Sequence, residues 1–186
     1  MKNKFFTKAL MVFLALFGFK CGAFAQSEVF NQGNMIINAG IGAGSWIAFD
    51  NDNSGYSMKL FPIVASFEYG VADLFDSRGG IGIGGYTSYT SFAGRNNKAG
   101  LGVSDLIVGA RGLFHYEFLE NLDTYAGVML GFDNKIYPQK DADLPGSKFY
   151  PGFFLGARYY VTNNFGFFGE VGLNSAPLEV GVCYIF

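Results

Sequence analysis

Histidine occurs once in this sequence, at position 115, cysteine twice and proline five times, and past the first 25 residues no uninterrupted apolar run reaches 18 residues. Each scarcity excludes something. One histidine cannot build a His-rich metal site. An enzyme of the nucleophile-and-base type needs a pair that the sequence offers nowhere outside His115. Helical membrane spans are excluded on length, because a span needs about 20 consecutive apolar residues. Basic residues are also too few: 13 Lys and Arg stand against 15 Asp and Glu, and nucleic acid, which requires a clustered basic face, is not an expected partner.

What is present begins with the leader MKNKFFTKALMVFLALFGFKCGAFAQ. Lys2, Lys4 and Lys8 precede an apolar run from Ala9 to Phe19, and Ala23-Phe24-Ala25 has the small-residue pattern of a cleavage site. Together they predict a secretory signal peptide over residues 1–25 that is removed before Gln26. The alternatives are a retained amphipathic start and lipidation at Cys21, against which Lys20 stands where a lipobox wants a small residue. Processing removes four Lys and no acid, which takes the net charge from −2 to −6. It also leaves Cys183 alone, so no intramolecular disulfide forms even in an oxidising compartment.

Half of all residues are hydrophobic and 18% are aromatic, with 27 glycines. That surplus of apolar surface is spread by alternation, the signature of strands with two unlike faces. At the end of the chain Leu178, Val180, Val182, Tyr184 and Phe186 oppose Glu179, Gly181, Cys183 and Ile185; Phe165, Phe167, Gly169, Val171 and Leu173 oppose Gly166, Phe168, Glu170 and Gly172. Six further segments repeat the plan around residues 37–44, 60–69, 81–89, 106–118, 124–132 and 153–161, with Pro62 an awkward member because it cannot donate to a ladder. One face is continuously apolar, whereas the other carries glycine, small residues and nearly all the mid-strand charges. A charged face too narrow to be a surface must be the interior, so the apolar face must meet lipid, where only a closed barrel satisfies the backbone of strands.

The connections alternate in length, as a chain crossing back and forth requires. Residues 49–57, 94–104 and 134–148 are long and polar, whereas 73–79, 119–123 and 162–164 are short; the short outer connection 174–177 departs from the rule. This order puts both termini in the periplasm. Aromatic girdles are expected from Phe67, Tyr69, Phe118, Tyr159, Phe165, Tyr184 and Phe186 below and from Tyr56, Tyr89, Phe92 and Phe149 above. The fold class is therefore all-β: a single eight-stranded antiparallel transmembrane β-barrel over residues 26–186, preceded by the cleaved signal peptide.

The ending LEVGVCYIF, with Tyr184 and Phe186 on the lipid face, resembles the C-terminal signal by which outer-membrane barrels are recognised for assembly. The preceding VTNNFGFFGEVGL is similar to the penultimate hairpin of small barrels of the OmpA-barrel, OmpX and OmpW type, particularly versions from Bacteroidota-like bacteria. The pattern covers the whole mature chain and the wording only residues 161–186. The resemblance implies a Gram-negative outer-membrane location, porin-family character, and handling by periplasmic chaperones and the barrel-assembly machinery. It implies no reaction.

On this alternation the lumen holds Glu68, Arg111, His115, Glu117, Arg158, Glu170 and Glu179. Ions in a narrow interior must be paired and hydrogen-bonded, so Arg158 is expected to meet Glu117 or Glu68, and Arg111 to meet Glu170 or Glu179. The bland reading, a satisfied plug that fixes register, outweighs a proton or solute path. His115 near the periplasmic end is expected to be structural, and its place counts against likeness to lipid A deacylases. Gly80-Ile81-Gly82-Ile83-Gly84-Gly85 spells GxGxxG, but no helix follows it, as nucleotide binding requires. Asp50-Asn51-Asp52-Asn53-Ser54-Gly55 imitates a calcium loop with Phe61 where the bidentate Glu should fall. Adventitious divalent binding there, or at Asp141 and Asp143, is the most it suggests. No catalytic residue, cofactor or resident metal is assigned.

The expected role is structural or surface-interacting, through extracellular loops and a possible extracellular ligand. A narrow channel or carrier for small or apolar solutes is the alternative, and a lipid-modifying outer-membrane enzyme comes third.

Overall fold

The computed structural model describes residues 30–46, 56–75, 78–94, 102–137 and 147–186. The expected signal peptide, the calcium-like loop and Asp141 and Asp143 lie outside these residues, as does the side chain of Tyr56. The described residues form eight strands: β1 (Met35–Gly42), β2 (Tyr56–Leu74), β3 (Gly79–Gly94), β4 (Gly102–Leu119), β5 (Leu122–Ile136), β6 (Ser147–Tyr160), β7 (Phe165–Gly172) and β8 (Leu178–Ile185). Each pairs antiparallel with the next, and β8 pairs with β1 to close the barrel.

Alternation dictates which way each side chain points. On β1 the sequence MIINAGIG buries Ile36 and Asn38 and exposes Met35, Ile37 and Ile41. The same parity exposes Phe61, Ile63 and Phe67 on β2, Ile81 and Ile83 on β3, Val128, Leu130 and Phe132 on β5, and Val180, Val182 and Tyr184 on β8. A monomer in water rarely shows so large a contiguous apolar surface. Here it forms a band around a closed sheet, the arrangement that hydrocarbon requires.

Pro62 falls where the β2–β3 register shifts, between Leu60 and Ile63, so the residue without an N–H sits at an irregularity of the ladder. Phe92 corrects one expectation. It continues the parity of Ser88 and Thr90, pairs with Val103 and is buried inside instead of joining the upper girdle.

The strands differ in height. β1, β7 and β8 have 8 residues each, whereas β2 has 19 and β4 has 18. A tilted transmembrane strand needs only about 9–11 residues. The short turns, Phe30 and Phe186 gather at one end, the periplasmic end in this class, so the tall strands β2–β5 project beyond the membrane at the other.

The neighbouring strands that close the barrel approach each other tightly. A Cβ on Gly181 of β8 would lie 2.2 Å from the carbonyl oxygen of Ala39 and 2.5 Å from Cα of Gly40, both backbone atoms of β1. Gly181→Val therefore forces the closing seam apart. The expected cost is about 1–3 kcal/mol, read as a lower urea midpoint for loss of the fast-migrating, heat-modifiable band.

Candidate functional site

Among the described residues, the buried charged side chains all lie in the lumen. At the lower end Arg158 of β6 is fully buried. Its Nη2 donates to Glu68 Oε2 at 2.5 Å, its Nη1 to Asp123 Oδ2 at 2.8 Å and its Nε to Asn38 Oδ1 at 3.2 Å. His115 stands between the same two carboxylates, with Nδ1 2.8 Å from Asp123 Oδ1 and Nε2 hydrogen-bonded to Glu68 Oε1. The guanidinium lies 4.3 Å from the centre of the Tyr125 ring, and Phe30 stacks on His115 from below, ring centres 3.8 Å apart. Glycine on β3 makes room for the cluster, since a Cβ on Gly82 would lie 2.1 Å from Glu68 Oε1. The GxGxxG wording is thus a strand whose inward positions give space to a carboxylate.

One turn of side chains higher, Arg111 makes a two-pronged pair with Glu170, at 3.0 and 2.7 Å. Tyr125 donates to Glu170 Oε1 at 2.9 Å and Asn174 Nδ2 to Oε2 at 2.8 Å. The Arg111 guanidinium is packed 4.3 Å from the Tyr86 ring and 4.0 Å from the Phe154 ring. Glu179, directly across the ladder from Glu170, takes different partners: Tyr86 donates to it at 2.7 Å and Ser175 at 2.9 Å, with the Ala176 amide at 3.3 Å. Like charges on facing positions are thereby separated into two sets of hydrogen bonds.

Apolar side chains fill much of the space around the charged layers. Val64, Ile107, Leu113, Met129, Phe154 and Phe168 pack with Tyr86 and Tyr125 between and around the charged layers.

The connection between β7 and β8 closes the top. Asn174, Ser175 and Ala176 are buried inside the wall, held by Tyr150 donating to the Asn174 carbonyl at 2.6 Å and by the bonds to Glu170 and Glu179. Trp46 anchors the edge of this cap through Nε1 to the Gly172 carbonyl at 3.1 Å. The short outer connection that departed from the loop-length rule is a stopper, not a displayed loop.

The structure therefore brings together six of the seven expected lumen residues in two groups: Glu68, His115 and Arg158 below, and Arg111, Glu170 and Glu179 above. Glu117 is the exception. It lies half-buried at the lower rim next to a register shift of the β4–β5 ladder, and Asp123 takes the second place on Arg158. Asp123, Asp105 and Asp133 are the inward carboxylates that sequence reasoning missed, because all three lay at strand ends assigned to connections or left beside them. Strand parity was the available signal: 105 shares the face of 107 and 111, and 123 and 133 share that of 125 and 129. Among the described residues both Asp105 carboxylate oxygens and Asp133 Oδ1 have no hydrogen-bond partner. Phe30 was missed as well, since it precedes the first strand.

No group of three or more His, Cys, Asp or Glu among the described residues could hold a metal ion. Tyr184 and Phe186 stand on the lipid side, their rings 4.8 Å apart.

A closed eight-stranded sheet, an apolar outer band and a side-chain-filled interior define a small transmembrane β-barrel of the outer-membrane class. The fold is that of Ail, the attachment invasion locus protein of Yersinia pestis (TM-score 0.51, 11% identity, covering 83% of this chain and 99% of that one). It is equally that of the outer membrane protein OprG from Pseudomonas aeruginosa (TM-score 0.52, 10% identity, 87% and 99%). The N-terminal barrel of Pseudomonas aeruginosa OprF also aligns, at TM-score 0.44 and 18% identity over 84% of this chain and 100% of that one. No family model matches the chain, and no curated protein sequence does. The structures described come from Yersinia and Pseudomonas and lend no support to the likeness with Bacteroidota-type versions.

Proposed function

We propose that this protein is a non-enzymatic outer-membrane barrel that acts through what it displays above the membrane, its interior being a structural plug. The observation that carries this reading is the closure of the lumen at three levels: the Glu68–His115–Asp123–Arg158 cluster, the Arg111–Glu170 pair with its aromatic packing, and the inward-folded residues 174–176. Ions paired across a narrow interior hold its register and oppose an aqueous path. Strands β2–β5 extend past the membrane on the outer side, and an extracellular ligand would meet the barrel at that end. Ail, which shares the fold, was crystallised in complex with the heparin analogue sucrose octasulfate, a precedent for a barrel of this shape taking such a ligand. Periplasmic chaperones and the barrel-assembly machinery are the expected partners during biogenesis, with Tyr184 and Phe186 as the element they read.

A second reading, a narrow carrier for small or apolar solutes, is favoured by one feature: the unpartnered acceptor oxygens of Asp105 and Asp133 at the outer end. Planar-bilayer recordings separate the two. The plug reading expects no discrete conductance from the purified mature barrel, and regular single-channel steps would overturn it. Deletion of residues 138–146 should abolish binding to host-cell or glycan surfaces while leaving heat-modifiable migration unchanged.

A further inference from the structure

The lipid-facing wall is not uniformly ridged. Along the lower half of β5 the outward residues are Thr124 and Ala126, both small, and they lie between Phe114 and Tyr116 of β4 on one side and Leu155 of β6 on the other. With Phe118 below and Tyr125 and Gly156 contributing to the floor, these residues enclose an open trough of about 500 Å³, within the size range of sites that hold small molecules. Its lining is apolar by construction. The one hydroxyl among the small residues, that of Thr124, donates to the Tyr116 carbonyl at 2.5 Å and leaves the methyl facing out. Phe75 extends the wall, edge-on to both Phe114 and Tyr116 at 6.3 Å.

The depth of the trough fixes what can fill it. Ala126 is five residues above Asn121 in the β4–β5 turn, which at about 3.4 Å per residue and a tilt of about 40° is about 13 Å above the periplasmic rim, one leaflet's depth. Only an acyl chain of the inner leaflet is present there. At the rim two exposed charges flank its foot. Glu120 sits in the β4–β5 turn directly below, and Arg78 in the β2–β3 turn is joined to β4 by its carbonyl, which accepts the Glu117 amide at 2.8 Å. An exposed cation and an exposed anion on neighbouring turns of the same rim complement a lipid that carries both charges. A purely anionic headgroup would gain Arg78 and be opposed by Glu120.

We propose that this trough is a binding site for one phospholipid of the periplasmic leaflet with a zwitterionic headgroup, its chain along β5, its phosphate at Arg78 and its ammonium at Glu120. The site depends on the transmembrane fold and is independent of the surface-interaction reading, so failure of either leaves the other standing.

The test is native mass spectrometry of the mature barrel in detergent, titrated with dioleoyl phosphatidylethanolamine or dioleoyl phosphatidylglycerol. The proposal expects one bound phosphatidylethanolamine, retained about fivefold more strongly than phosphatidylglycerol, a difference typical of a surface charge pair. Thr124→Phe, which fills the trough from the lipid side, should abolish retention, whereas Val180→Phe on another part of the wall should not. Ala126→Leu serves the same purpose if Thr124→Phe does not give the heat-modifiable folded form. Glu120→Ala should remove the preference between the two lipids and leave a residual association, whereas Arg78→Ala should weaken retention of both, since each carries a phosphate, and leave the preference in place. Equal retention of both lipids by the wild type, or undiminished retention by the filled variants, overturns the site.

Discussion

Arg158→Leu is expected to destabilise the barrel by about 3–5 kcal/mol, the usual cost of leaving buried charge without its partner. Arg158, with His115, joins Glu68 and Asp123 across the lumen, and it also fixes Asn38. Its loss leaves two carboxylates facing His115 in a space from which they cannot turn to water. The measurement is a urea titration of the refolded protein in lipid vesicles, followed by heat-modifiable migration. A triple variant, Arg158→Met with Glu68→Gln and Asp123→Asn, removes the charges together and should regain most of the loss. That recovery would separate an ion-network effect from a simple packing defect. A midpoint for Arg158→Leu within experimental scatter of the wild type would show that the cluster does not hold the lumen.

The second large effect concerns the outer face. Ile83 of β3 stands on the apolar band, more than half exposed, with Tyr69 and Gly112 as its ladder neighbours. Ile83→Arg should cost about 2–4 kcal/mol because a cation near mid-bilayer has no counter-charge, while Phe165→Arg at the lower rim should cost about 0–1 kcal/mol. The same pair examined in detergent alone should lose most of this contrast, since a micelle lets the side chain reach water. If Ile83→Arg proved neutral in vesicles, the band would not be the surface that meets hydrocarbon.

Much of the fold was legible in the chain because alternation is a local property with a global meaning. Once residues two apart share a face, Glu170 and Glu179 fall on the same side as Arg111 and Arg158, whatever the detailed register. The irregularity at Pro62 was legible for a related reason, as a missing N–H is visible in the sequence. Other features were not. Asp123 looked like part of a turn because strand ends are set by pairing across the ladder, and the β4–β5 turn proper contains only residues 120 and 121. Phe92 was read as a girdle residue from its distance to the rim, although parity already pointed it inward. Nothing in residues 174–177 distinguishes a turn that projects from one that folds back, since both suit a short polar connection. Phe30 lies in a stretch with no periodicity at all, and its stacking on His115 becomes visible only when β1 and β4 are placed around the same lumen.

The sequence by itself determined that the chain crosses a membrane as strands, which residues face lipid and which face inward, because those follow from a period of two and the cost of putting ions in hydrocarbon. The tertiary structure decided which ion meets which, that the last outer connection closes the lumen, and where small residues leave a trough on the wall. These depend on the stagger between strands and the curvature of the closed sheet, which bring together residues far apart in the chain and are set by the sum of all eight pairings.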